Sequence, residues 1–175
     1  MIVFESMFGN TEALAREIAD GLAAEDTEVG FCDVRHVQPP DLRGCDLLVL
    51  GAPTHAFSLS RTATREDAVR QGAPPAVASL GLREWLPQLE EAFADSDHRP
   101  AVAVFDTRVD KARHLPGSAA RRAARTVRGM GFRVVDRPTS FYVGGVAGPP
   151  SADEPARARA WAGRLRASVT EPLAS

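Results

Sequence analysis

Ile2-Val3-Phe4-Glu5-Ser6-Met7-Phe8-Gly9-Asn10-Thr11-Glu12-Ala13-Leu14-Ala15-Arg16-Glu17-Ile18 is the segment around which the rest of this chain is built. A short apolar run stops at Glu5, and a loop follows that carries hydroxyls and a glycine. Past it, Leu14, Ile18 and Leu22 recur at i, i+4 and i+8, the apolar stripe of an amphipathic helix starting near Thr11. The segment therefore reads strand, tight loop, helix. Such a loop opens a helix N-terminus, where unpaired N–H groups and the positive dipole end favour an anion. Gly9 permits φ > 0 or a close backbone approach, while Ser6 and Thr11 offer hydroxyls and Asn10 an amide. No lysine or arginine sits in the loop. A phosphate there would be held by neutral donors and a dipole.

The pattern continues down the chain. Glu28–Val34 reads as a second strand, Asp46–Gly51 as a third, Ala101–Phe105 as a fourth, and Phe132–Val143 as a fifth, bent at Pro138. The third and fourth are continuously apolar, as parallel strands covered on both faces are. Helical patterns fall at Leu82–Phe93, Gly117–Met130 and Pro155–Val169, the last capped by Ser151 or Asp153. Strands alternating with helices predict one domain over residues 1–175, an α/β fold with right-handed crossovers. The stretch from Ser58 to Ala78 exceeds an ordinary connection, with a short helix capped by Thr64-Arg65-Glu66-Asp67.

The N-terminal residues also resemble the flavodoxin signature. Apolar Ile2 and Val3 precede aromatic Phe4, then Ser6, Gly9, Thr11, and the helix positions Ala15 and Ile18. Phe8 departs from it, because flavodoxins often carry a second hydroxyl at that place. The resemblance implies a doubly wound, five-stranded parallel sheet in the order 2-1-3-4-5, with helices on both faces and ligand at the switch point between strands 1 and 3. It implies FMN as the cofactor, its phosphate held by Ser6, Met7, Phe8, Gly9, Asn10 and Thr11. Pro53, Thr54, His55, Ala56 and Phe57 after the third strand, and Asp106, Thr107 and Arg108 after the fourth, would border the isoalloxazine ring. His55 and Phe57 are the aromatics available in the second loop, with a free loop histidine and a core anchor as the plain alternatives. In this third segment flavodoxins commonly present a tyrosine against the ring, and Thr107-Arg108-Val109 has none; Arg108 is the candidate there. It would stack on the ring or stabilise its anionic reduced form, or else be an ordinary ion-paired surface residue. Pro53 to Ser60 contains no glycine, so the peptide turn that stabilises one-electron-reduced flavin is expected to be costly.

The 175 residues carry 21 Lys+Arg against 23 Asp+Glu, a formal charge of −2. That predicts no nucleic-acid binding, and it departs from the strongly acidic surface usual in flavodoxins. Arg121, Arg122, Arg125 and Arg128 form a row that reads as a solvated helix face. Cys32 and Cys45 lack metal-ligand spacing and read as buried free thiols. Without a leader-like segment or a long apolar run, the expectation is a cytoplasmic protein with no membrane insertion. Gly-x-Ser-x-Gly is absent and the four histidines are scattered, which disfavours a serine hydrolase or a metal site. Two readings lead, ahead of a third in which the domain has lost its flavin and serves as an interaction module. One is an electron carrier between redox partner proteins, a reductase and an acceptor. The other is an NAD(P)H-dependent FMN oxidoreductase acting on a quinone-like or small aromatic substrate.

Overall fold

The computed structural model describes residues 1–170. One parallel sheet has the order β2-β1-β3-β4-β5, with β1 at Ile2–Phe4, β2 at Phe31–Asp33, β3 at Leu47–Pro53, β4 at Ala101–Val109 and β5 at Thr139–Val143. The connecting helices are α1 (Asn10–Leu22), α2 (Thr62–Arg70), α3 (Leu82–Ala92), α4 (Ala119–Gly129) and α5 (Glu154–Thr170). This is the doubly wound α/β architecture that the alternating pattern predicts.

Side chains alternate across a strand, and that alternation divides the core in two. Ile2, Phe4, Val49, Ala103, Phe105 and Phe141 face α1 and α5, meeting Leu14, Ile18 and Trp161. Val3, Leu48, Leu50, Val102 and Val104 face α3 and α4, meeting Trp85, Leu89, Ala123 and Val127. Burying each large aliphatic side chain contributes about 1.5–3 kcal/mol. Each indole also finds an acceptor: Trp85 Nε1 donates to the Val37 carbonyl at 3.1 Å, and Trp161 Nε1 to Asp136 Oδ2 at 2.7 Å.

Several boundaries differ from the sequence reading. β2 is only three residues, because the Asp33 carboxylate accepts from the Arg35 N–H at 2.9 Å and turns the chain into a 3-10 turn at Val34–His36. The fifth strand begins at Thr139. Upstream of Pro138 the chain makes only an isolated bridge, Val134 to Val102. β4 is longer than its apolar run, since Asp106, Thr107 and Arg108 stay paired with Ser140, Phe141 and Tyr142. Thr64 sits at the third position of α2 and not at its cap; its Oγ1 accepts from the Arg61 N–H at 2.8 Å. Cys32 and Cys45 are free and half-buried. Among the described residues no helix is long and apolar enough to cross a membrane.

Candidate functional site

At the carboxyl ends of the strands lies a cleft of about 180 Å³, walled by the loops that follow β1, β3 and β5 and by the end of β4 itself. Its lining includes Ser6, Met7, Phe8, Asn10 and Thr11 from the first loop and the start of α1, Pro53 to Ala56 from the end of β3 and the second loop, and Thr107 and Arg108 from the end of β4. Three residues considered from sequence do not line it: Gly9, Phe57 and Asp106.

Gly9 is the N-cap of α1 with φ 84°, a left-handed conformation that glycine adopts without steric cost. A Cβ built there meets nothing within 4 Å, so the helix N-terminus is open above it. Ser6 Oγ accepts from the Glu12 N–H at 3.3 Å and keeps its own proton to donate. The buried hydroxyls of Thr11 and Thr107 lie 2.8 Å apart; one donates to the other, and one proton stays unspent. Asn10 Nδ2 donates to the Val146 carbonyl at 3.3 Å, tying α1 to the loop after β5. Met7 and Phe8 pack on Ala68, Ala73 and Val77, so the 58–78 insertion is seated on the first loop. A neighbouring cavity of about 190 Å³ touches Phe8, His55, Thr64 and Val146.

The second loop is a tight two-residue turn in which His55 and Ser58 exchange both backbone hydrogen bonds. Ala56 and Phe57 both have positive φ, 44° and 62°, at positions where Asn-Gly is the usual solution. Phe57 is 50% exposed at the tip. Burial pushes the His55 imidazole below its ordinary pKa.

Thr54 and Asp106 are committed to α4. Thr54 Oγ1 accepts from the Ala119 N–H at 2.8 Å, Asp106 Oδ2 from the Ala120 N–H at 2.8 Å, and Ser118 Oγ from the Arg121 N–H at 3.2 Å. The first turn of α4 is thus saturated, which leaves α1 as the helix with an open N-terminus on this cleft. Arg108 is only 6% exposed; its Nη2 donates to the carbonyls of Ala112 and Leu115, and its Nε has no partner. No carboxylate pairs with it among the described residues.

Beneath the first loop, Glu5 is buried and its Oε2 accepts from the Leu82 N–H at 2.8 Å. Burial raises its pKa above the usual carboxylate value, against the opposing pull of Ser60, the Leu82 N–H and Arg65. Buried Arg65 pairs with Glu84 at 3.1 Å and donates to Ser60 Oγ at 3.0 Å. Val109 at the end of β4 also lines the cleft, and Val143 and Val146 line it but were missed from sequence. The rule that loops at strand carboxyl ends converge was signal enough to include the glycine-rich loop after β5.

A family model described as Flavodoxin matches residues 2–161. Solved structures similar to this chain include a flavodoxin from the domain Archaea, with TM-score 0.66, 17% identity, and 97% of each chain covered. Oxidised flavodoxin 2 from Bacillus cereus aligns with TM-score 0.62 and 20% identity over 96% of this chain and 94% of that one. The two-electron reduced flavodoxin of Megasphaera elsdenii aligns with TM-score 0.60 and 19% identity over 93% and 97%. At these identities the structural likeness is one of fold. No curated protein matches the chain.

Proposed function

The chain belongs to the flavodoxin family, whose cofactor is FMN, and from that premise we propose that it is an electron-transfer protein carrying this flavin non-covalently between a reductase and an acceptor. The observation that carries the reading is the open, glycine-capped N-terminus of α1 on the wall of the cleft. The donor set fits a phosphomonoester. Ser6 retains a hydroxyl proton, the Thr11–Thr107 pair retains another, and the amides of Asn10 and Thr11, in the first turn, have no intrahelical acceptor.

When bound, FMN supplies the one- and two-electron chemistry. The protein holds, orients and polarises. Ser6 and the amides at the start of α1 would hold the phosphate, and Pro53, His55, Ala56, Thr107 and Arg108, which line the same cleft, would border the ring. Arg108 places a desolvated positive charge beside the cleft, which favours negative charge there. His55, kept neutral by burial, offers one ring N–H and one acceptor.

A second reading, an FMN oxidoreductase that takes hydride directly from NAD(P)H for a quinone-like substrate, draws support from the insertion, which packs on Met7 and Phe8 of the first loop. Purified protein should be yellow or take up added FMN stoichiometrically. Slow bleaching by NADPH that turns fast with a separate reductase supports the carrier. Rapid bleaching by NADPH alone, with turnover on quinones, replaces it with the enzyme. Colourless protein that ignores added FMN overturns both.

A further inference from the structure

On the other side of Arg108 lies a second open cavity, of about 500 Å³. Arg108, Arg113, His114, Arg121 and Arg157 line it around Tyr142, and no carboxylate does. The four arginines come from β4, from the turn after it, from α4 and from α5, so the charge is gathered by tertiary structure and not by a run in the chain.

Two of the four have structural duties. Arg113 Nη2 pairs with Asp110 at 2.8 Å and its guanidinium lies 4.2 Å from the Tyr142 ring centroid. Arg157 pairs with Glu154 and donates to the Ser140 carbonyl, covering a polar group of the edge strand β5. The other two have no such compensation. Arg121 makes no side-chain hydrogen bond or ion pair among the described residues, and it lines this cavity where its exposed neighbour on the row, Arg122, does not. Arg108 is buried, bonded only to carbonyls, and keeps an unpartnered Nε. A buried guanidinium without a counter-charge is unfavourable unless an anion supplies one. With Asp110 and Glu154 offsetting two of the four charges, a dianion closes the balance. Arginine's planar fork matches phosphate oxygens two at a time.

We propose that this cavity is a binding site for a nucleotide-sized phosphate ester, its phosphate held by Arg108, Arg113, Arg121 and Arg157. The site lies on the far side of Arg108 from the cradle at Gly9 and shares that one residue with the cleft, whereas Arg113, Arg121 and Arg157 line only the second cavity.

The test is calorimetric titration of the protein as purified, at low ionic strength, with inorganic pyrophosphate and with ADP; adenosine and succinate serve as controls. Both phosphates should bind, and the controls should not bind at matching concentrations. Arg121→Gln should weaken both phosphates by about tenfold, Arg121→Lys should recover most of that loss, and FMN affinity should not change. The Arg121 side chain is exposed and makes no hydrogen bond or ion pair among the described residues, so the variant should fold as the parent does. The proposal is overturned if pyrophosphate and ADP show no binding at millimolar concentration, if succinate binds as tightly, or if Arg121→Gln binds phosphate unchanged. It is equally overturned if Arg121→Gln loses FMN in parallel, since the cavity would then hold the flavin's own phosphate. Colourless protein that still binds pyrophosphate sinks the flavin assignment and leaves this site standing.

Discussion

Replacing Thr54 by valine keeps the shape of the side chain and deletes the acceptor that joins the second loop to α4. Thr54 Oγ1 lies 2.8 Å from the Ala119 nitrogen, and Ala119 is fully buried, so its N–H has no water to turn to. Leaving a buried donor unpaired costs roughly 1–3 kcal/mol, which overlaps the range of about 0.5–2 kcal/mol for a lost helix cap. Asp106 and Ser118 still hold the next two amides, which places the expected loss near the middle, about 1.5 kcal/mol. In a chain of this size that lowers the melting midpoint by about 3–6 °C. Urea unfolding followed by circular dichroism should show the midpoint falling with an unchanged slope, and Thr54→Ser should restore most of the stability. The same substitution frees the turn that carries His55. Its imidazole, held down by burial, should therefore titrate closer to the ordinary value by NMR. A Thr54→Val protein as stable as the parent, with His55 unmoved, would refute the claim that this hydroxyl locks the site loop to α4.

Three further outcomes are expected. Ser6→Ala combined with Thr11→Ala should weaken FMN by tenfold or more, at about 1.4 kcal/mol per decade, while riboflavin, lacking the phosphate, is barely affected; fluorescence titration of both flavins separates phosphate binding from a general loss of fold. Gly148→Ala would set a Cβ 2.0 Å from Asn10 Oδ1 at φ +87°, so it should cost about 1–2 kcal/mol from the backbone alone and break the Asn10–Val146 bond, with FMN uptake falling alongside. Glu5 has a folded pKa raised by burial, so it favours the fold below its unfolded pKa, and that contribution is lost as pH rises through the folded value. Glu5→Gln should remove this falling component from a plot of urea midpoint against pH; an unchanged profile would mean that Glu5 is ionised at no cost.

Most of the architecture was legible because parallel strands buried on both faces write themselves as apolar runs, and Leu14, Ile18 and Leu22 could stripe only a helix. Misplaced boundaries share one cause: polar residues that pair across the sheet look like loop. Asp106-Thr107-Arg108 continues β4 because β5 lies alongside, and Phe132–Arg137 fails as strand because Pro138 interrupts the ladder. In the site, Gly9 at a left-handed N-cap was readable from the turn chemistry that glycine serves. Thr54 and Asp106 read as ring-side residues, but the α4 amides they accept from lie 65 and 14 residues away respectively, and no local pattern encodes such a distance.

From the order of its residues alone, this chain was committed to strand–loop–helix units, a five-stranded parallel sheet and a glycine-capped helix end, because backbone geometry and apolar periodicity act over a few neighbouring residues. Where charge collects was settled only by folding. Arg108, Arg113, Arg121 and Arg157 are scattered among unremarkable arginines until β4, α4, β5 and α5 bring them around one cavity. Burial then decides which of them lacks a counter-ion, and burial depends on the whole packed molecule.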